Sequence, residues 1–142
     1  MTKFIESPAV QKLCELTKES YLRYWDERNG GNVSVRLEAS EVEGYEDVKE
    51  VKRVLDLGFD ASTLAGYYYL VTGTGRYFRN VTNQPLLDLG LVRISEDGQK
   101  AELLWGFEDG GKPTSEFASH LMSHIERLKV NPNHKVVFHC HP

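Results

Sequence analysis

Cysteine is scarce in this sequence: two residues, Cys14 and Cys140, in a chain of 142. They lie far apart, Cys14 within a predicted helix and Cys140 near the end, so nothing suggests a disulfide framework and a reducing cytosol is the default compartment. Long apolar runs are missing as well. The stretch Met1-Thr2-Lys3-Phe4-Ile5-Glu6 lacks the apolar length of a signal peptide, and no segment approaches the roughly 20 apolar residues that span a bilayer. Positive charge is not in excess: 17 Lys and Arg stand against 21 Asp and Glu, a net charge of -4. That balance argues against a general binder of nucleic acid or anionic membrane, while leaving room for a small local anion site. Repeats, low-complexity tracts and interdomain linkers are absent too. What is present is 40% hydrophobic and 27% charged residues, the composition of a soluble globular chain. The length suits one ordinary domain with a real core.

Ser7-Pro8 opens the first predicted helix, with Ser7 as N-cap and Pro8 in the first helical position. Val10, Leu13, Cys14, Thr17, Tyr21, Tyr24 and Trp25 recur at three- and four-residue steps, which predicts an amphipathic helix to about Asp26 with its aromatic stripe in the core. Asn29-Gly30-Gly31-Asn32 then breaks the helix, and Val33, Val35 and Leu37 alternate as in a half-buried strand. Glycines there let backbone amides approach an anion, and the asparagines add neutral donors; taken alone, the string reads as a turn. Residues 38–62 are acidic and weakly patterned, and read as a surface excursion without chemistry. Tyr67-Tyr68-Tyr69-Leu70-Val71-Thr72 is a strong strand. It runs into Gly73-Thr74-Gly75-Arg76, a turn with hydroxyl and guanidinium donors suited to phosphate, but without a complete dinucleotide or P-loop pattern. Strands at 91–94 and 101–105 flank Glu96-Asp97-Gly98-Gln99, a hairpin signal. Short antiparallel units alternating with helices predict an α/β sandwich around a largely antiparallel sheet.

Pro113-Thr114-Ser115-Glu116 starts the second main helix, which continues through Phe117, Leu121, Met122, Ile125 and Leu128. Thr114 or Ser115 can cap it, and Glu116 falls in the first turn, where the dipole stabilises negative charge and the hydroxyls favour an anion. Glu116, His120 and His124 share one face at four-residue steps. His120 and His124 read more naturally as packing or interface residues than as metal ligands.

The last segment, 135–140, is a strand by composition. Alternation then puts His139 and His141 on one face, their Cα atoms roughly 6.5 Å apart, with Cys140 pointing away. Two imidazoles at that separation can converge on one divalent ion. A catalytic metal needs about three protein ligands and an open position, so at least one more must come from elsewhere.

Four strings, Asn29-Gly30-Gly31-Asn32, Thr72-Gly73-Thr74-Gly75, Pro113-Thr114-Ser115-Glu116 and His139-Cys140-His141, occur in the order and spacing of the class II aldolase/adducin-head family, and the chain resembles it along nearly its whole length. The Trp25-Asp26-Glu27-Arg28 run, Arg79-Asn80 and Leu104-Trp105-Gly106 sharpen the resemblance toward the family's L-rhamnulose 1-phosphate lyases. It implies an α/β/α sandwich, incomplete at the C-terminus, with residues 1–142 forming the N-terminal part of a single domain. It also implies a zinc-dependent lyase of the cytoplasm, a homotetramer when full length, that splits L-rhamnulose 1-phosphate into dihydroxyacetone phosphate and L-lactaldehyde through an enediolate. By that resemblance His139 and His141 are two of three histidine ligands to Zn2+, the third lying beyond residue 142 together with a proton donor from a neighbouring subunit. Glu116 is the catalytic acid/base, and Asn29, Asn32, Thr74, Gly75 and Ser115 hold the substrate phosphate. Related expectations are cleavage of L-fuculose 1-phosphate, 4-epimerisation of L-ribulose 5-phosphate, or a non-catalytic adducin-head-like binding domain. On this reading the 142-residue chain alone binds zinc weakly, has little activity, and leaves its last strand an exposed edge.

Overall fold

The computed structural model describes residues 2–23 and 31–140. Helix α1 (Pro8–Leu22) leads to β1 (Asn32–Leu37), β2 (Arg53–Asp56) and β3 (Tyr68–Thr72). Two short helices, α2 (Phe78–Val81) and α3 (Pro85–Asp88), precede β4 (Leu89–Ile94) and β5 (Lys100–Gly106). Helix α4 (Phe117–Val130) and β6 (Val136–His139) follow. The strands form one six-stranded sheet in the order β2-β5-β4-β3-β1-β6, every pairing antiparallel.

Alternation along β3 explains the layering. Tyr68 and Leu70 face a core shared with Val10 and Leu13 of α1, whereas Tyr69 and Val71 face a second core with Phe117 and Leu121 of α4. A strand buried on both faces sits centrally in a sheet covered by helices, which is the α/β/α sandwich expected. Phe107 seals the second core by laying its ring against Gly90, where a Cβ would meet the ring at 2.1 Å. Gly90 therefore tolerates no side chain without displacing the ring.

Helix α1 starts as the sequence indicates, with Ser7 Oγ accepting from Val10 N (3.2 Å) and Pro8 first. It ends at Leu22; the expected continuation to Asp26, with Tyr24 and Trp25, lies outside the described residues. Tyr21 departs from the expected core stripe: at 42% exposed it lies on the solvent side, and the buried line is Val10, Leu13, Cys14 and Thr17. Strand β1 is also more deeply placed than half-buried. Its polar face of Asn32, Ser34 and Arg36 is covered as well as Val33 and Leu37, because α4 lies against that face and β6 pairs along the strand's edge.

The region 38–62 is more than a surface excursion. It contributes Val42, Val48 and Ala61 to the cores and supplies β2, an outer strand on β5. Four residues rich in charge (Arg53-Val54-Leu55-Asp56) alternate too briefly to stand out, and pairing with β5 makes them a strand. At the opposite edge β6 bonds to β1 along one side. Cys14 and Cys140 are both free thiols. Among the described residues no helix is long and apolar enough to cross a membrane.

Candidate active site

Four chain segments meet at one end of β1. Asn32, its first residue, lies directly opposite His139 of β6 in the antiparallel register. On the other side Thr72, the last residue of β3, accepts from the backbone N–H of Val33 through its Oγ1 (3.1 Å). The glycine turn after β3 then runs against the stretch before α4: Thr114 N–H donates to Thr72 O, and Thr74 N–H donates to Lys112 O, each at 2.9 Å. Asn32, the Thr72–Gly75 turn, Ser115-Glu116 and His139 thus belong to one neighbourhood, although they span over a hundred positions.

Within the turn, Gly75 holds a left-handed φ of 72°, which suits glycine, and its Cα side opens onto space with no atom near a would-be Cβ. Thr74, Gly75 and Ser115 are all exposed, with polar groups on the surface of this neighbourhood. The guanidinium of Arg76 is not directed at this opening. It forms a bidentate pair with Asp109 (2.7 Å) and lies 3.4 Å from buried Asp88.

Helix α4 begins differently from expectation. Neither Thr114 nor Ser115 is the cap; Glu116 occupies that position, with φ -90° and ψ 10° and no side-chain cap bond. Thr114 makes a local turn instead, its carbonyl accepting from Phe117 N–H (2.9 Å). This leaves the Glu116 carboxylate free to point across to β1 rather than back onto its own helix. Its Oε2 accepts from Asn32 Nδ2 at 2.6 Å and lies 3.2 Å from His139 Nδ1. Burial alone would raise the Glu116 pKa, but the Asn32 amide and His139 outweigh it and hold the carboxyl below its ordinary value. Glu116 is therefore a carboxylate at neutral pH, with its side chain 46% exposed.

If His139 carries its proton on Nδ1 and donates it to Glu116, Nε2 is the unprotonated nitrogen. That is the form in which imidazole ligates a metal. The donor chemistry of His139 thus suits a metal. His141, expected beside it, lies outside the described residues, as does Asn29. Among the described residues no three His, Cys, Asp or Glu side chains gather tightly enough to hold an ion.

His120 and His124 are not part of such a cluster. They are 3% and 2% exposed and face β1, where Ser34 Oγ bridges His120 Nδ1 (2.7 Å) and His124 Nε2 (2.8 Å). Burial pushes both pKa values down to about 4, so both rings are neutral at physiological pH. Their role as packed residues agrees with the sequence reading. Ser34 was not foreseen. Its only signal is that Asn32, Ser34 and Arg36 alternate as a polar stripe, matched by histidines four apart on a later helix.

Comparison with known proteins sets this geometry in context. The family described as Class II Aldolase and Adducin N-terminal domain matches residues 11–142. A rhamnulose-1-phosphate aldolase of Listeria innocua is 48% identical over 142 residues, covering 99% of this chain and 52% of that protein. One from Enterococcus faecalis is 47% identical over 137 residues, 96% of this chain and 49% of that protein. A sugar-phosphate aldolase crystal structure from Thermotoga maritima superposes with a TM-score of 0.77 at 33% identity, over 94% of this chain and 53% of that one. The chain spans about half the length of the curated relatives it matches.

Proposed function

Because this chain belongs to the class II aldolase and adducin N-terminal domain family, we propose that it forms the N-terminal half of a metal-dependent aldolase. The reaction proposed is cleavage of L-rhamnulose 1-phosphate to dihydroxyacetone phosphate and L-lactaldehyde, as the names of its relatives suggest. The observation that carries the reading is the meeting of Glu116 and His139 at Asn32, a carboxylate and an imidazole 3.2 Å apart at the end of β1.

Glu116 is the proton carrier. An ionised, half-exposed carboxylate accepts a proton from substrate and returns it, provided it is held within hydrogen-bonding reach of the reacting group. His139 and His141 are the ligands this chain offers to a divalent ion, with a third histidine supplied by the remainder of the protein. When bound, zinc would supply Lewis acidity where negative charge develops as the carbon–carbon bond breaks. The phosphate end falls to Asn29, Thr74, Gly75 and Ser115. Neutral donors bind it without the net positive charge that this acidic chain lacks, and that remote binding energy orients the reacting end. Asn32, also expected to hold the phosphate, directs its side-chain amide at Glu116 and His120. A cytoplasmic homotetramer is the assembly this reading carries.

The test is release of dihydroxyacetone phosphate from L-rhamnulose 1-phosphate, with and without chelator. Protein made from the reading frame continued past Pro142 is compared with the 142-residue chain. Chelator-sensitive release from the longer protein, with weak zinc binding and little turnover from the shorter, is the expected result. Release only from L-fuculose 1-phosphate, or epimerisation of L-ribulose 5-phosphate, would move the substrate within the family. Neither zinc nor turnover in the longer protein would leave a non-catalytic binding domain.

A further inference from the structure

Two ladders of different pitch meet behind the candidate site. Asn32 and Ser34 are two apart on β1, so they share a face at about 6.6 Å spacing. His120 and His124 are four apart on α4 and stack along one face at about 6 Å. The spacings match, and the rungs join in a line. His124 Nε2 lies 2.8 Å from Ser34 Oγ, which lies 2.7 Å from His120 Nδ1. His120 Nε2 in turn bonds Asn32 Oδ1, and Asn32 Nδ2 bonds Glu116 Oε2. Asn32, Ser34, His120 and His124 are all 4% exposed or less, so water does not compete for these groups.

The direction of every bond in the line is set by its exposed end. A carboxylate only accepts, so Asn32 must present its N–H edge to Glu116 and its carbonyl edge to His120. That carbonyl requires a proton on His120 Nε2. The neutral ring then has a lone pair on Nδ1, which takes the Ser34 O–H. Ser34 oxygen is left to accept from His124 Nε2–H. No link can be reversed without placing two acceptors or two donors face to face in a buried site, which is costly.

We propose that Ser34, His120 and His124 are positioning residues for Asn32. They lock its side-chain amide in the one orientation that holds the Glu116 carboxylate across the helix start, where it must meet the substrate. The catalytic part of this statement rests on the aldolase reading above; the bond directions do not. The Glu116 side chain makes no cap bond to its own helix. With 46% of the side chain exposed, its carboxylate is fixed from the buried side by Asn32.

Ring-nitrogen NMR of nitrogen-15-labelled full-length protein decides the bond directions independently of any turnover. Both His120 and His124 are expected as the Nε2–H tautomer, with an unprotonated Nδ1 on His120; an Nδ1–H tautomer at His120 overturns the proposal. Kinetics test the consequence through His120→Gln and His120→Leu. Glutamine offers an N–H to Asn32 and a carbonyl to Ser34, and leucine offers neither. The leucine variant is expected to lose about 10–100-fold in kcat, the usual effect of removing an orienting partner, with little change in KM. The glutamine variant should recover most of that loss. A loss borne by KM, or equal losses in two variants that melt like the parent, would show that His120 does not act through Asn32. Should the leucine variant fail to fold, the tautomer result remains decisive. If the parent cleaves no sugar phosphate, the functional reading fails by itself and the NMR result still stands or falls alone.

Discussion

His120 and His124 on α4 and His139 on β6 are joined through one run of hydrogen bonds that passes by way of Asn32 and Glu116. Their surroundings make them different chemical groups. The helix pair is buried with partners on β1, and burial pushes each pKa down to about 4. Such imidazoles are neutral struts. The side chain of His139 is 43% exposed at the end of a strand and faces a carboxylate. It keeps access to a ligand from solvent. One residue type therefore does structural work behind Asn32 and, on the proposed reading, chemical work in front of it; accessibility divides the two.

Substitutions on the two sides should separate sharply. In the full-length protein, Glu116→Ala is expected to cut turnover by about 10²–10⁴-fold, the usual worth of a positioned acid/base, while zinc content by elemental analysis stays at the parent level. His139→Ala should lose zinc as well as turnover. Zinc loss in the Glu116 variant would make that residue a ligand and erase the distinction.

Acid is the next lever, and its sign follows from the buried pair. Each histidine has an ordinary value of 6.5 when unfolded and about 4 when folded, so the unfolded chain binds more protons between those values. Their stabilisation is in place above pH 6.5 and is lost as pH falls toward 4, with each residue contributing on the order of 3 kcal/mol. Urea midpoints measured at about pH 7 and about pH 5 should fall together with this pair, and a flat profile would mean the rings are not buried as described. Ser34→Ala removes the bridge and leaves two buried ring nitrogens unpaired. A cost of about 1–3 kcal/mol is expected in the same urea experiment at neutral pH. At the small end stands His134, an exposed histidine that accepts from Arg127 Nε at 3.2 Å. His134→Ala should stay within about 0.5 kcal/mol of the parent.

Much of the architecture was legible because it rests on local patterning. Ser7-Pro8, the aromatic and β-branched run of Tyr68 to Thr72 and the hairpin at Glu96-Asp97-Gly98-Gln99 each announce an element by rules of short range. Strand β2 was not legible, since four charged and apolar residues become a strand only when β5 lies beside them. Tyr21 misled for a related reason: helical spacing names a face, but the width of the buried face depends on what covers it. In the site, His139 was singled out by strand spacing and Glu116 by the resemblance its motif carries, whereas Ser34 was silent until α4 was laid across β1.

The sequence by itself determined the two long helices, most of the strands and the residue types offered for chemistry, because periodicity and side-chain identity are local properties. Only the tertiary structure decided that Glu116 caps α4 without a side-chain bond to it, that Arg76 is spent on Asp109 and Asp88, and that two histidines serve as struts while a third stays accessible. Those outcomes depend on which groups lose contact with water and which partners then lie within about 3 Å, and that is fixed by the packing of α4 and β6 onto β1.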